Sequence, residues 1–179
     1  MKEFYQDLKQ AIRTVPDFPI PGIQFRDITG LLEDPKAFKE SIIQLTRECM
    51  RFKSNTIIGV ESRGFIFGAP IAFDLDLPLV LARKPGKLPN ATVSKSYTLE
   101  YGEAELHIQE ISPIMGKIVI IDDLIATGGT MMAGMKLLEK LGAEVIEGAA
   151  IVDLPELGGS KKLLEAGLPL FTLVNFEGH

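Results

Sequence analysis

The segment KIVIIDDLIATGGT, residues 117–130, constrains the fold more than any other part of the sequence. Its apolar run shows no polar alternation, which is typical of a strand buried on both faces of a sheet. Asp122 and Asp123 follow where the strand is expected to end, and after a Thr-Gly-Gly-Thr turn a helical pattern continues to Gly142, a residue suited to the C-cap. This strand–turn–helix order predicts a parallel sheet covered by helices.

Other segments of the chain repeat the alternation of strands and helices. Helices are expected at residues 2–14 and at PKAFKESIIQLTRECMRF, GFIFGAPIAFDL and SKKLLEAG, and strands at NTIIGV, LPLVLAR, AELHIQ and PLFTLVNF. Residues 84–103 are polar with little periodicity, and we expect a long loop there. The sequence predicts an α/β fold in which helices flank a central, mostly parallel sheet, formed by one domain over residues 1–179.

Composition restricts the class of protein. The net charge of −5 argues against a general nucleic-acid binding surface. The single cysteine, Cys49, excludes an intrachain disulfide and favours a reducing compartment, so we expect a cytoplasmic protein. The N-terminal segment does not resemble a signal peptide, and no apolar run approaches the roughly 18 residues of a membrane span. We therefore expect neither nucleic acid nor a membrane as a partner.

The turn at residues 126–130 has the features of a phosphate site. Glycines at the start of a helix let a ligand approach backbone N–H groups that lack partners. The helix dipole adds partial positive charge, and the hydroxyls of Thr127 and Thr130 add donors. An ordinary turn with Thr130 as N-cap is the alternative that the glycines alone leave open. The candidate phosphate ligands are Ala126, Thr127, Gly128, Gly129 and Thr130.

The two aspartates indicate a second group on the same ligand. Asp122 and Asp123 would repel a phosphate, but their carboxylates accept hydrogen bonds from neighbouring hydroxyls, such as those on a ribose. A ribose with a 5′-phosphate satisfies both halves of the segment. A structural role and direct ligation of a divalent metal are the alternatives for this pair. Walker A and GxGxxG motifs do not occur in the chain, so other common nucleotide loops are not supported.

The segment VIIDDLIATGGT resembles the phosphoribosyl-diphosphate binding motif of type I phosphoribosyltransferases. Three further segments are similar to parts of the adenine phosphoribosyltransferase family: DFPIPGIQFRDIT to its base-binding hood, GVESRGFIFGAPIA to its diphosphate loop, and ARKPGKLP with YTLEYGEAELHI to its flap and flanks. The motifs occur in the family's order. The sequence departs from the family pattern at two positions: Gly30 stands where many relatives have proline, and Gln24 stands where they usually have an aliphatic residue.

This resemblance implies a purine salvage reaction, in which N9 of adenine displaces diphosphate from 5-phosphoribosyl 1-diphosphate and gives AMP. It implies Mg²⁺ carried by the diphosphate substrate and water, with no protein metal site, and a homodimer. It also implies that the hood, residues 1–34, reads adenine through backbone groups of Gln24 and Arg26. Phe25 between them is either a core residue or a residue that flanks the base.

The resemblance assigns the remaining site residues. Arg63, Arg83, Lys84 and Lys87 would bind the diphosphate, and a non-proline cis peptide is expected within residues 61–64. The flap, residues 84–103, would close over the site and exclude water. Tyr101 on the flap would contact substrate, and Glu100 would act as general acid/base near N7 of the purine, with Arg63, Asp122 and Asp123 as the other catalytic residues. The alternative for all three loop residues is a solvated side chain. The proline-glycine setting of Lys84 and Lys87 at a strand end favours function for them, whereas from sequence alone a loop glutamate such as Glu100 is usually solvated.

Two other classes of function compete with this interpretation. The first is a transferase of the same fold that acts on hypoxanthine, xanthine or orotate, which the hood and the segment TLEYG disfavour. The second is a regulator that senses phosphoribosyl diphosphate and binds nucleic acid. The regulator requires an added DNA-binding domain or a basic face, and the length of 179 residues and the acidic balance disfavour both.

Overall fold

The computed structural model describes residues 2–99, 102–110, 112–114 and 116–178. The strands are β1 (Arg13–Pro16), β2 (Gln24–Asp27), β3 (Thr56–Val60), β4 (Leu79–Ala82), β5 (Thr92–Leu99), β6 (Gly102–Gln109), β7 (Lys117–Ile125), β8 (Glu144–Asp153) and β9 (Leu170–Asn175). The helices are α1 (Lys2–Ala11), α2 (Thr29–Glu33), α3 (Pro35–Phe52), α4 (Gly64–Asp74), α5 (Gly129–Lys140) and α6 (Gly159–Glu165), and Pro155–Leu157 forms a single 3₁₀ turn. None of the helices within these described ranges has the length and apolar character needed to cross a membrane.

A five-stranded parallel sheet in the order β4-β3-β7-β8-β9 forms the centre of the molecule. Both faces are buried, since successive residues of the central strands enter opposite cores. Ile57 of β3 packs in the core beneath α3 and α4, and Ile58 packs in the core beneath α5 and α6. The predicted α/β fold with a parallel sheet flanked by helices is therefore confirmed.

Helix α3 shows why its sequence signal was strong. Asp34 is the N-cap, and its Oδ1 accepts hydrogen bonds from the N–H groups of Lys36 at 2.9 Å and Ala37 at 3.1 Å. The helix then runs to Phe52, and Leu45 and Cys49 on its inner face are fully buried. The N-cap, the proline in the first turn and the periodic apolar face all favour a helix in this segment. The predicted helix over residues 35–52 is confirmed over its full length.

The prediction of a long loop over residues 84–103 is wrong for residues 92–99 and for residues 102 and 103, which begin β6. Residues 92–99 form β5, which pairs antiparallel with β6 from Thr92 opposite Gln109 to Leu99 opposite Gly102. The sequence does alternate weakly, with apolar residues at Val93 and Leu99 among threonines and serines, but the polar residues between them hid the pattern. The strand is also defined by its partner, which buries Leu106 and Ile108 against the core.

Two further differences concern strands near the predicted site. Strand β7 does not end at the aspartates but continues through both of them to Ile125. In the hood, β1 and β2 form a separate two-stranded antiparallel sheet that the proline-rich sequence did not suggest. These strands have only four residues each, which is too short for a periodic signal. The helix predicted over residues 2–14 ends at Ala11, and residues 13 and 14 belong to β1 instead.

Close packing at one glycine brings α4 to the end of the central strand. A Cβ atom on Gly64 would lie 2.4 Å from the carbonyl oxygen of Ile121 and 3.2 Å from Cα of Asp122. Only glycine permits this approach, because backbone atoms cannot move aside. The start of α4 therefore lies directly against the aspartates, and residues 61–64 are brought to the same edge of the sheet as the turn that follows β7.

Candidate functional site

A cavity of about 470 Å³ lies at the carboxyl ends of β3 and β7. Parallel α/β sheets place ligand sites at this edge. The cavity brings together residues from three separate parts of the sequence. Its lining consists of Glu61, Ser62, Arg63, Lys84, Asp122, Asp123, Leu124, Ile125, Ala126, Thr127, Gly128, Gly129, Thr130 and Met131.

Residues 126–130, the phosphate loop, form the floor of this cavity. Gly128 is the N-cap of α5 with φ of +76°, and no side chain caps the helix. The first N–H groups of α5 are therefore left for a ligand, which is the arrangement expected for an anion site. Thr130 lies inside α5 rather than at its N-cap, so the alternative of an ordinary turn capped by Thr130 is wrong.

A second glycine turn packs against the outside of the phosphate loop. The N–H of Gly159 donates to the carbonyl of Ala126 at 3.1 Å. A Cβ atom on Gly159 would lie 2.1 Å from that oxygen and 2.4 Å from the backbone nitrogen of Gly128. The start of α6 therefore supports the shape of the phosphate loop. Sequence analysis missed Gly159, because nothing in its local pattern indicates contact with a loop about thirty residues earlier.

Asp122 and Asp123 are both nearly inaccessible, with 9% and 5% of their surfaces exposed. Oδ1 of Asp122 accepts a hydrogen bond from the N–H of Asp123 at 2.9 Å. Burial raises the pKa of Asp122 well above its ordinary value, and the neighbouring charge of Asp123 raises it further. Burial also raises the pKa of Asp123, while the charge of Arg63 opposes this rise. A ligand that donates hydrogen bonds here would favour the ionised carboxylates.

Residues 61–64, the diphosphate loop, contain a non-proline cis peptide between Glu61 and Ser62. This confirms the place predicted for such a bond. Arg63 follows, and its Nε lies 2.9 Å from Oδ2 of Asp123. The diphosphate loop therefore presents a cation to the carboxylates at the end of β7.

The predicted cations have three different environments. Lys84 lines the larger cavity. Arg83 does not, because its guanidinium pairs with Glu61 at 3.0 Å and donates to the carbonyl of Lys87 at 3.0 Å. Lys87 is exposed at the end of a tight turn in which Gly86 has φ of +72°. Burial would raise the pKa of Glu61, but the hydrogen bonds from Arg83 and from the N–H of Lys84 outweigh it and lower that pKa.

A smaller and mostly apolar cavity of about 210 Å³ opens beside the larger one. Its lining is Pro19, Ile23, Gln24, Phe25, Arg26, Arg63, Leu124, Ala126, Leu154 and Leu157. The ring of Phe25 makes an edge contact with Phe18 at 5.1 Å between centroids and lies 5.9 Å from the guanidinium carbon of Arg63. Phe25 lines this cavity and belongs to neither buried core cluster, and its position beside the base stays a prediction.

The two cavities share three lining residues, Arg63, Leu124 and Ala126. The hood residues 24–26 are therefore adjacent to the phosphate loop in space. Sequence analysis missed Leu154 and Leu157, which close the smaller cavity from the end of β8 and the 3₁₀ turn. Apolar residues in a strand end carry no signal that separates a ligand wall from core.

Glu100 and Tyr101 lie outside the described residues. The pair Leu99–Gly102 is the last described pairing of the β5–β6 hairpin before them. Their predicted roles therefore remain predictions.

The chain was compared with known families and proteins. Residues 30–164 match the model of the phosphoribosyl transferase domain. The adenine phosphoribosyltransferase of Methylibium petroleiphilum is 58% identical over 173 residues, which are 96% of this chain and 88% of the relative.

Solved structures give the same result. An adenine phosphoribosyltransferase from Rhodothermus marinus superposes with a TM-score of 0.90 at 42% identity, covering 98% of this chain and 100% of the other. The enzyme of that name from Saccharomyces cerevisiae, solved with adenine and an imino-altritol bisphosphate, superposes with a TM-score of 0.88 at 36% identity, covering 97% and 100%. The hood, most of which precedes the matched domain model, is thus covered by the full-length similarities.

Proposed function

Because the chain belongs to the adenine phosphoribosyltransferase family of phosphoribosyl transferase domain proteins, we propose that it makes AMP by purine salvage. The reaction transfers the 5-phosphoribosyl group from 5-phosphoribosyl 1-diphosphate to N9 of adenine and releases diphosphate. The observation that carries this proposal is the pair of adjoining cavities, which meet at Arg63: one holds the phosphate loop and charged side chains, and the other is mostly apolar and lined by the hood.

The larger cavity suits the phosphoribosyl group. The uncapped N-terminus of α5 and Gly128 offer backbone donors to a 5′-phosphate. The carboxylates of Asp122 and Asp123 offer acceptors to ribose hydroxyls, and both lie on the same cavity wall. These hydrogen bonds would strengthen as the sugar becomes cationic in the transition state, since the acceptors are negatively charged.

The diphosphate needs positive charge as it leaves. Arg63 and Lys84 line the cavity and would supply it directly. Arg83 would act through Glu61, which holds the N–H of Lys84 at 2.8 Å, whereas Lys87 is exposed and free to reach a ligand from outside. We also propose that Arg83 and Lys87 bind substrate directly, and that residues 83–87 reach the site of a neighbouring subunit in the homodimer.

Mg²⁺ is proposed to enter with the diphosphate. Within the described residues, no three His, Cys, Asp or Glu side chains form a group that could hold a metal by itself. Mg²⁺ usually keeps several oxygen ligands from substrate and water, so the proposal gives it no protein ligand and leaves Asp122 and Asp123 for the ribose. When bound, Mg²⁺ would supply charge neutralisation for the leaving group.

Adenine is proposed to be read by backbone groups of β2. Pro16 of β1 pairs with Gln24 and has no N–H, so this pair cannot exchange both backbone hydrogen bonds. In an antiparallel sheet, hydrogen-bonded and non-hydrogen-bonded pairs alternate, so the pair Thr14–Arg26, two residues along, is also a non-hydrogen-bonded pair. The backbone groups of Gln24 and Arg26 therefore do not bond to β1, which supports the proposal that they face the smaller cavity, called the base cavity below. Hypoxanthine presents the opposite donor and acceptor pattern and would leave buried groups unpaired.

The flap completes the proposed mechanism. Glu100 would hydrogen-bond the N7 edge of adenine and help N9 to attack, and Tyr101 would contact substrate. Closure of the flap would remove water that competes for the ribosyl cation.

The proposal includes a single catalytic domain, a cytoplasmic enzyme and a homodimer. The lone cysteine supports the cytoplasm, since Cys49 is a buried thiol. An exposed apolar face on α4 supports the dimer: Phe73 has 87% of its surface exposed, and Ile66, seven residues earlier on the same face, has 38%.

One assay tests the proposal. The purified protein is supplied with 5-phosphoribosyl 1-diphosphate, Mg²⁺ and either adenine, hypoxanthine or orotate, and diphosphate release is measured. We expect release with adenine alone. Release with hypoxanthine or orotate instead would assign another transferase of the fold. Binding of the phosphoribosyl substrate without turnover on any base would overturn the catalytic proposal.

A further inference from the structure

The backbone and the side chain of Arg26 make contacts in two different parts of the molecule. Its backbone belongs to β2, which lines the base cavity. Its guanidinium is bound elsewhere: Nη1 donates to Oγ1 of Thr14 at 2.6 Å, and Nη2 donates to the carbonyl oxygens of Glu177 at 3.0 Å and Gly178 at 3.3 Å. Only 9% of the residue is exposed, so these bonds form in a largely desolvated place. The side chain thus ties β1 and β2 to residues 176–178, the tail segment.

The ring of Phe176 completes this attachment. The guanidinium carbon of Arg26 lies 4.6 Å from the centroid of that ring, and Nζ of Lys9 lies 4.8 Å from it. The N–H of Phe176 donates to the carbonyl of Asp153 at 3.1 Å. Leu154, the next residue after Asp153, is a wall of the base cavity. Arg26 therefore connects the base-reading strand to the tail segment and to the end of β8.

Strand β2 needs such an anchor. Its sheet has two strands with four pairs of residues, and all four residues of β1 are exposed. A two-stranded sheet of this size is at best marginally stable by itself. A planar guanidinium with several acceptors fixes both position and orientation better than a single hydrogen bond. Since backbone atoms would recognise the base, a small displacement of β2 would change every base contact at once.

We propose that the side chain of Arg26 is a positioning residue for adenine: it clamps β2 to the tail segment and so sets the affinity and selectivity for the base without acting on the phosphoribosyl group. This inference rests on the proposed function, because it concerns the base cavity of that enzyme. It assigns the tail segment a role in base recognition, although residues 177 and 178 do not line the base cavity.

The test compares Arg26→Met with the unmodified protein. We expect the KM for adenine to rise about tenfold or more, and the preference for adenine over hypoxanthine to fall, because the clamp's charged hydrogen bonds are lost. The KM for 5-phosphoribosyl 1-diphosphate should stay within about twofold, since the phosphate loop lies on other elements. Thr14→Val and Phe176→Leu should each raise the KM for adenine in the same direction by smaller factors.

A matched control is Arg51→Met. Arg51 also lies over a phenylalanine ring, with its guanidinium carbon 4.4 Å from the centroid of Phe52, and it also bonds a second residue, Glu48. It lies on α3 away from both cavities, and both KM values should be unchanged.

The possible failures are distinguishable. If the unmodified protein releases no diphosphate with adenine, the proposed function fails. If it does, and Arg26→Met keeps a normal KM for adenine or raises both KM values equally, the clamp is overturned while the function stands. A folded Arg26→Met that fails to bind 5-phosphoribosyl 1-diphosphate in calorimetry also overturns the clamp. If Arg26→Met shows no cooperative thermal unfolding, and so has not folded, unchanged adenine KM values in both Thr14→Val and Phe176→Leu overturn the clamp, and raised values support it.

Discussion

Arg63 and Asp123 form an ion pair between the diphosphate loop and the end of β7, with Nε 2.9 Å from Oδ2. The aspartate side chain is 7% exposed and the arginine side chain 44% exposed, so the pair joins a buried carboxylate to an accessible cation. Each partner has a separate proposed ligand, ribose for Asp123 and diphosphate for Arg63. In the proposed complex the ion pair would hold the ribose-binding carboxylate and the diphosphate-binding cation next to each other.

The first prediction concerns the carboxylates. Asp123→Asn and Asp122→Asn should each lower kcat/KM by about 10- to 100-fold, because a neutral amide is a weaker acceptor for ribose hydroxyls in the transition state. Thermal stability should be unchanged or higher, since burial disfavours both charges. The control is Asp74→Asn, an exposed residue at the end of α4, which should leave turnover intact. Normal turnover in both site variants would remove the ribose assignment.

The second prediction concerns the support behind the phosphate loop. Gly159→Ala should weaken AMP binding strongly, because its Cβ would lie 2.1 Å from the carbonyl oxygen of Ala126 and must displace that loop. We also expect a loss of about 1–3 kcal/mol in the free energy of unfolding from the steric overlap. Calorimetry with AMP measures the first effect and denaturant titration measures the second.

The matched control for this change is Gly134→Ala on the same side of the sheet. Gly134 lies within α5, where a Cβ would be 3.4 Å from Cδ1 of Ile120 and fits. Alanine is the better helix former, so stability should be equal or higher and AMP affinity unchanged. Equal AMP affinity in Gly159→Ala and Gly134→Ala would mean that the α6 turn does not shape the phosphate site.

The parts of the site that sequence analysis predicted are local in the chain. Residues 126–130 carry their own signal, because the glycines and the helix that uses them are adjacent. Helix α3 was predicted in full for the same reason, since its cap and its apolar face lie within one segment.

The parts that were missed depend on contacts between distant segments. The support of the phosphate loop joins Gly159 to Ala126, and the attachment of the hood joins Arg26 to Glu177. The sequence around a residue does not indicate which distant segment of the backbone it will contact. The pairing of residues 92–99 with β6 was missed for the same reason.

The third prediction uses a buried carboxyl outside the site. A bulge between β7 and β8 places Val145 opposite Ile118 and Glu147 opposite Val119, so that Ile146 is the extra residue. Glu147 is 2% exposed and faces Glu48, Cys49 and Arg51 of α3. Burial raises the pKa of Glu147 from an ordinary 4.5 to about 8, and the charge of Glu48 adds to this rise. Burial also raises the pKa of the Cys49 thiol to about 12, so that group stays neutral.

The raised pKa of Glu147 makes the free energy of unfolding depend on pH. Between pH 4.5 and about 8 the unfolded chain releases the proton of Glu147 while the folded chain retains it, so the free energy of unfolding falls as pH rises through this window. Glu147→Gln removes the titration. It should be about 1–3 kcal/mol more stable than the unmodified protein at pH 8, and similar to it below pH 4.5. Denaturant titration across this range measures the difference, and Glu144→Gln, an exposed residue of the same strand, is the control. A constant difference at every pH would contradict this account.

The last prediction concerns Glu100 on the flap. In the proposed reaction adenine must redistribute a proton for N9 to attack, and a carboxyl at the N7 edge would stabilise the reacting tautomer. General acid/base assistance of this kind is typically worth about 10²–10⁴-fold in rate. Glu100→Gln keeps the size of the side chain and part of its hydrogen bonding, whereas Glu100→Ala loses both. We therefore expect the chemical step to slow in Glu100→Gln and to slow further in Glu100→Ala.

Single-turnover kinetics are the required measurement for Glu100, because product release can otherwise hide the chemical step. Binding of AMP should change little in either variant, since the phosphate loop lies on β7 and α5 rather than on the hairpin. The control is Glu110→Gln, an exposed glutamate just beyond the far end of the same hairpin, where the N–H of Glu110 donates to the carbonyl of Ala91 at 3.1 Å. That variant should react at the normal rate. If Glu100→Ala also reacts at the normal rate in a single turnover, the flap serves only to exclude water, and the proton that adenine loses must be accepted by another group.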